Sequence, residues 1–196
     1  GAHAGHDVNG GAMKVLIVYE SIFGNTHRVA EAIATGACGA GWGAVVECVP
    51  VGDARADRLA AADLLVVGGP THVRGMSFSK SRMGAVQDAA NPAKNKGVTH
   101  EVDPDAEGTG LRDWFHGLPR AHNGSRAAAF DTRLPFPMAG GAAKGIARRL
   151  RQHGYDLVAV PEGFIVDDAY GPIRAGELDR ARAWGDLLVT LAVPVG

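Results

Sequence analysis

The sequence predicts an α/β protein built on a doubly wound, five-stranded parallel sheet with helices on both faces, and three observations predict it. Short continuous apolar runs recur along the chain, the pattern of parallel strands covered on both sides. Segments with apolar residues at helical spacing separate these runs. Turns rich in Gly, Pro, Ser and Thr follow the runs, where strands of such sheets pass into ligand-binding loops.

Val15 to Tyr19 is the first and central strand. After the Gly24-Asn25-Thr26 turn, Val29, Ala30, Ile33, Ala34 and Ala37 recur at helical spacing, and the glycines from Gly39 to Gly43 stop that helix. Ala44 to Val49 is the second strand and Asp57 to Ala62 a short helix. Leu64 to Val67 forms a third strand ending at Gly68-Gly69-Pro70. Ala127 to Phe130 is the fourth strand, Ala142 to Gln152 a helix, Leu157 to Val160 the fifth strand, and Glu177 to Leu191 the closing helix.

The connection between the third and fourth strands is longer than one crossover needs. Met83 to Ala90 and Leu111 to Phe115 have helical character. Asn91 to Gly110 is polar and turn-rich, and is expected as a weakly ordered surface excursion within one domain, residues 13–196. Gly1 to Ala12, with His3 and His6, reads as a tag or disordered leader.

Composition narrows the function classes. The chain has 196 residues, 46% of them hydrophobic and 21% charged, which suits one domain with a full core. A net charge of −1 supplies no global field for nucleic acid, and no apolar run is long enough to span a membrane. Cys38 and Cys48 lack metal-ligand spacing and read as small buried thiols, which suits a cytoplasmic location. His100, His116 and His122 lack a tight ligand spacing, and no GxSxG elbow is present.

Three loops carry chemistry. Ser21-Ile22-Phe23-Gly24-Asn25-Thr26 follows the first strand and opens a helix, so backbone N–H groups and the positive end of the helix dipole converge on an anion. Gly24 allows close backbone approach, and Ser21, Asn25 and Thr26 supply neutral donors. Glu20 is a second anion next to this loop and must point elsewhere if a phosphate binds there. Neither GxxxxGK[ST] nor a GxGxxG after the first strand is present, which disfavours nucleotide triphosphatases and dinucleotide-binding domains. The second loop, Gly69 to Ser77, contains Pro70, Thr71, His72, Val73, Arg74 and Gly75 at the end of the third strand; the third, Phe130-Asp131-Thr132-Arg133-Leu134-Pro135-Phe136, ends the fourth.

The first loop resembles the phosphate-binding loop of flavodoxins and related FMN proteins, which carry a Ser/Thr-rich turn ending in Gly-Asn-Thr at this place. The Gly-x-Pro-Thr-His run resembles their loop bordering the flavin ring, and Phe-Asp-Thr-Arg is similar to uncharacterised bacterial flavodoxin-domain proteins. The likeness extends over most of Lys14 to Leu191, outside Asn91 to Gly110. It implies strand order 2-1-3-4-5 in three αβα layers and FMN as cofactor. It also implies binding by Ser21, Phe23, Gly24, Asn25, Thr26, Pro70, Thr71, His72, Val73, Arg74, Gly75, Phe130, Asp131, Thr132 and Arg133. Gly75 is the candidate for a peptide that responds to flavin reduction.

The sequence departs from acidic flavodoxins in lacking a Trp or Tyr in the second loop. His72 in that loop could stack at the ring edge, and Phe78 and Phe136 could supply apolar cover, while Trp42, Trp114 and Trp184 read as packing. Arg74 and Arg133, if they face the ring, would stabilise an anionic reduced flavin and raise its potential. The implied function is flavodoxin-type electron transfer with a redox partner protein or small-molecule acceptor. The alternatives are an NAD(P)H-dependent FMN quinone oxidoreductase and a non-redox binding or regulatory module. Arg148, Arg149 and Arg151 read as a solvated helix face, with docking of an acidic partner as the second reading.

Overall fold

Side-chain alternation along the central strands divides the protein into two cores, one on each face of the sheet. In the computed structural model, which describes residues 11–72, 75–77, 79–96, 98–136 and 141–193, strand β1 spans Lys14–Tyr19 and β3 spans Leu64–His72. Val15, Ile17, Tyr19, Leu64 and Val66 face one core, and Leu16, Val18, Leu65 and Val67 face the other. Strand β2 (Val45–Pro50) pairs in parallel with β1, and β5 (Arg126–Arg133) in parallel with β3. The two-residue β4 (Gly75–Met76) turns back antiparallel on the end of β3.

The first core is closed by α1 (Asn25–Gly39) and α6 (Glu177–Ala192). These helices approach so closely that a Cβ at Gly36 would stand 1.8 Å from the Arg182 carbonyl oxygen, and one at Gly185 would stand 2.1 Å from that of Ile33. Phe130, Phe164 and Trp184 meet edge to face beneath them, with ring centroids 6.0 to 6.3 Å apart. Full burial of each Phe contributes roughly 1.5–3 kcal/mol. The second core is closed by α4 (Leu111–Gly117) and α5 (Ala142–Gln152). Two further helices, α2 (Ala56–Ala61) and α3 (Ser79–Ala89), complete the described set.

The order of the five parallel strands agrees with the sequence-based order, but the fifth is not continuous over Leu157 to Val160. It is split into β6 (Asp156–Leu157) and β7 (Glu162–Ile165), both parallel to β5. Leu157 lies opposite Ala127 and Glu162 opposite Phe130. Two more residues therefore separate the paired positions on this strand than on β5, and the chain bends out between them, leaving Val160 76% exposed.

Helix α3 begins at Ser79, four residues before the expected start. Cys38 is exposed on α1 rather than buried, and Cys48 is half-buried. Trp114 and Trp184 are core residues, whereas Trp42 is exposed. Among the described residues no helix is long and apolar enough to cross a membrane.

Candidate functional site

The end of β1 and the start of α1 form the first wall of a cleft at the carboxyl edge of the sheet. Gly24, at φ +82°, turns the chain into α1 through a conformation that favours glycine. Its N–H donates to Ser21 Oγ at 3.1 Å, and the first intrahelical bond runs from Arg28 N–H to Gly24 O. No side chain caps α1 and no acid sits in its first turn. The N–H groups of Asn25, Thr26 and His27 are therefore left as donors at the positive end of the helix dipole. Ser21 and Thr26 are buried beside them.

Glu20 turns away from this wall because it alternates with Tyr19 and faces the other side of the sheet. Its carboxylate accepts hydrogen bonds from Ser77 Oγ and, at 2.8 Å, from Leu111 N–H. It thereby caps α4, and its charge is directed onto another helix.

The second wall is a hairpin in which Thr71 and His72 pair with Met76 and Gly75. The expected site residues Val73 and Arg74 lie outside the described residues, as does Phe78. His72 Nε2 is buried with no hydrogen-bond partner among the described residues. Burial pushes this imidazole below its ordinary pKa; nearby Glu20 opposes the shift and Arg82 adds to it.

The third wall follows the alternation of β5. The Phe130 side chain points into the first core with no exposure and packs on Phe164 and Trp184. Asp131 points to the opposite face, where Oδ2 accepts the Ala143 N–H at 2.8 Å and Oδ1 accepts Arg133 Nε at 2.8 Å. Burial pushes its carboxyl above the ordinary value, and the bonds from Ala143, Arg133 and Thr71 pull against that rise. Thr132 returns to the α1 side and its hydroxyl meets that of Thr26 at 2.8 Å. Arg133 lines the cleft, but its charge is matched by Asp131 and its guanidinium lies where a Cβ on Gly163 would stand. It is thus an ion-paired wall of the cleft.

These walls border a cavity of about 130 Å³ that opens to solvent, lined by Ser21, Phe23, Asn25, Thr26, Pro70, Thr71, His72, Thr132 and Arg133 from the expected set. Gly24, Gly75 and Asp131 stand behind that lining as hinge, hairpin and helix cap. Phe136 is 58% exposed and outside it. Sequence reasoning missed the fourth wall, Val166 and Ala169 after β7. The Glu162 to Val166 run and the Gly171-Pro172 turn, both similar to flavodoxin-domain proteins, were the available signals.

Asn95, His100 and Asp103 tie the surface excursion to the site. Asp103 N–H donates to Ile22 O at 2.6 Å, and Asp103 Oδ2 lies 3.3 Å from His27 Nδ1. His100 stacks on Tyr170 with ring centroids 3.7 Å apart, Tyr170 meets the Phe23 ring edge to face, and Tyr170 Oη donates to Asn95 Oδ1 at 3.2 Å. The segment is a strap across the first and fourth walls. Among the described residues no group of three or more His, Cys, Asp or Glu side chains is placed to hold a metal ion.

No family model matches the sequence, and no curated protein matches it. Solved structures do. A flavodoxin from the domain Archaea aligns at 20% identity over 92% of this chain and 99% of its own, with a TM-score of 0.60. Flavodoxin 1 from Bacillus cereus aligns at 16% over 90% and 97%, with a TM-score of 0.60. A flavodoxin, WrbA-like protein from Agrobacterium tumefaciens aligns at 20% over 92% and 98%, with a TM-score of 0.56. The fold is flavodoxin-like.

Proposed function

We propose that the cleft binds FMN and that the chain is an FMN-dependent redox protein working in flavodoxin-type electron transfer. The observation that carries this reading is the convergence of the uncapped start of α1 with the Ser21 and Thr26 hydroxyls, the second of them bonded to Thr132, in a cleft whose described lining contains no carboxylate. That donor set fits a phosphate. His72, with its unpartnered Nε2, and Thr71 border the place next to it, where a ring system would stand. When bound, FMN supplies one- and two-electron redox chemistry. The chain's residues hold the phosphate through neutral donors and keep Glu20 off it, and the strap braces Ile22 and His27 beside the loop. Structural likeness to an oxidised flavodoxin from Bacillus cereus and to a two-electron reduced flavodoxin from Megasphaera elsdenii supports the reading.

Titration of FMN and riboflavin into the flavin-free chain, followed by flavin fluorescence, tests it. Charge-assisted hydrogen bonds contribute about 1.5–3 kcal/mol each, so two of them make FMN roughly 100-fold or more tighter than riboflavin. Equal affinity for the two, or no quenching by either, would sink the phosphate reading.

A further inference from the structure

Charge is segregated along this chain. Residues 111–155 hold eight of the twenty Lys and Arg but two of the twenty-one Asp and Glu, a net of +6 against −7 for the remainder. Outside α5 several arginines are matched to carboxylates: Arg58 to Glu47, Arg133 to Asp131, Arg174 to Asp167, Arg180 to Glu162 and Arg182 to Asp179. Helix α5 breaks that habit. It contains no acid, and Lys144, Arg148, Arg149 and Arg151 have no ion-pair partner among the described residues.

Geometry places these cations on one surface. Lys144, Arg148 and Arg151 are exposed, and their i, i+4, i+7 spacing sets them on one face, opposite the buried Ala143, Ile146, Ala147 and Leu150. Like charges at this spacing repel along the helix, and among the described residues no carboxylate forms an ion pair with them. The neighbouring α4 side adds to the face: Ala121 N–H donates to His153 O at 2.8 Å, and the Phe115 and His153 rings lie 6.1 Å apart, which brings exposed Arg120 and His116 alongside. At its other end the face begins beside the cleft, because the Ala142 and Ala143 N–H groups that precede Lys144 close on Thr71 Oγ1 and Asp131 Oδ2.

We propose that the α5 face is the docking surface for an acidic partner protein, a redox partner if the FMN reading above holds, on which this part of the proposal rests. Arginine forks match carboxylates in bidentate geometry. A compact acidic patch engages this face alone, whereas an extended polyanion such as DNA or an anionic bilayer also meets the acid-rich remainder of the chain.

The test is a ¹⁵N–¹H correlation spectrum of the full chain titrated with an acidic plant-type ferredoxin as probe, with and without FMN. Basic cytochrome c, a DNA duplex and phosphatidylserine vesicles are added in separate runs. Ferredoxin is expected to shift the amides of residues 144–152, and the shifts are expected to vanish near ~0.3 M salt. A Lys144→Glu/Arg148→Glu/Arg151→Glu variant should bind roughly 10-fold more weakly or worse. Arg55→Glu, on a cation outside the face, should leave binding unchanged.

A Gln triple variant at the same positions serves if the Glu variant does not fold. The proposal is overturned if ferredoxin leaves α5 unshifted, if the triple variant binds as well as the parent, or if cytochrome c, DNA or vesicles shift α5 at lower concentration than ferredoxin. Failure of the FMN reading shows separately, as absent shifts in residues 21–26 on adding FMN.

Discussion

Replacing Thr132 by Val removes one hydroxyl from a buried pair and leaves the shape of the site unchanged. Thr132 Oγ1 and Thr26 Oγ1 are 2.8 Å apart, Thr26 is 2% exposed and Thr132 is 5% exposed. A hydroxyl has one proton, so if Thr132 donates to Thr26, the Thr26 proton is free for an anion in the cleft. Thr132→Val removes that orientation at a cost of about 0.5–1.5 kcal/mol for a neutral hydrogen bond, or roughly a 2- to 13-fold loss of FMN affinity. Thr26→Val removes the charge-assisted bond itself, costing about 1.5–3 kcal/mol, roughly 13- to 160-fold. Fluorescence titration of both single variants and the double variant closes the cycle. Because Thr132 acts through Thr26, adding Thr132→Val to Thr26→Val should cost almost nothing further. Full additivity of the two losses would refute the relay of hydroxyls.

Gly185→Leu inserts a side chain where a Cβ already stands 2.1 Å from a backbone oxygen, so α6 must shift and the urea midpoint should fall by the equivalent of about 1–3 kcal/mol or more. Thiol labelling at pH 8 should modify exposed Cys38 rapidly and Cys48 slowly, since burial pushes the Cys48 thiol up to about 12; that leaves about one molecule in 10⁴ as thiolate at that pH. Mass spectrometry of the labelled peptides reads the ratio.

Glu177 has a folded-state pKa below its ordinary 4.5: burial raises it, but the Arg180 hydrogen bond and the Ile165 N–H outweigh that. Its stabilising contribution is thus present above about pH 4.5 and lost as pH falls through the lower folded value. Glu177→Gln should flatten that part of a stability-against-pH curve. An unchanged acid limb would count against the pairing.

What was legible in the sequence follows from local physics. Apolar runs and helical spacing placed every layer, and the helix from Ala142 to Gln152 was placed to the residue. The first loop was readable because a helix start that presents bare N–H groups needs Gly24 and small polar neighbours. In the third loop, alternation from Ala128 puts the Phe130 side chain in the core and sends Asp131 and Thr132 to opposite faces. The strap could not be read at all. Its polar composition looks like solvent-exposed chain, and the partners that order Asp103 and His100 are Ile22, His27 and Tyr170, distant in sequence. The direction of Glu20 was likewise settled by Ser77 and Leu111, contacts that only the folded chain makes.

The outward bend between Leu157 and Glu162 has a bearing on how this chain tolerates insertions and deletions. It holds two residues beyond the matching stretch of β5, and two is the pleat repeat, so Phe164 still reaches the core beside Phe130. Removing one residue there would flip β7, exposing Phe164 and driving Gly163 and Ile165 inward; removing two would shorten the bend and keep every side chain on its own face. Length variation at this corner is therefore quantised in pairs, and the reach of Val166 and Ala169 into the cleft varies in the same steps.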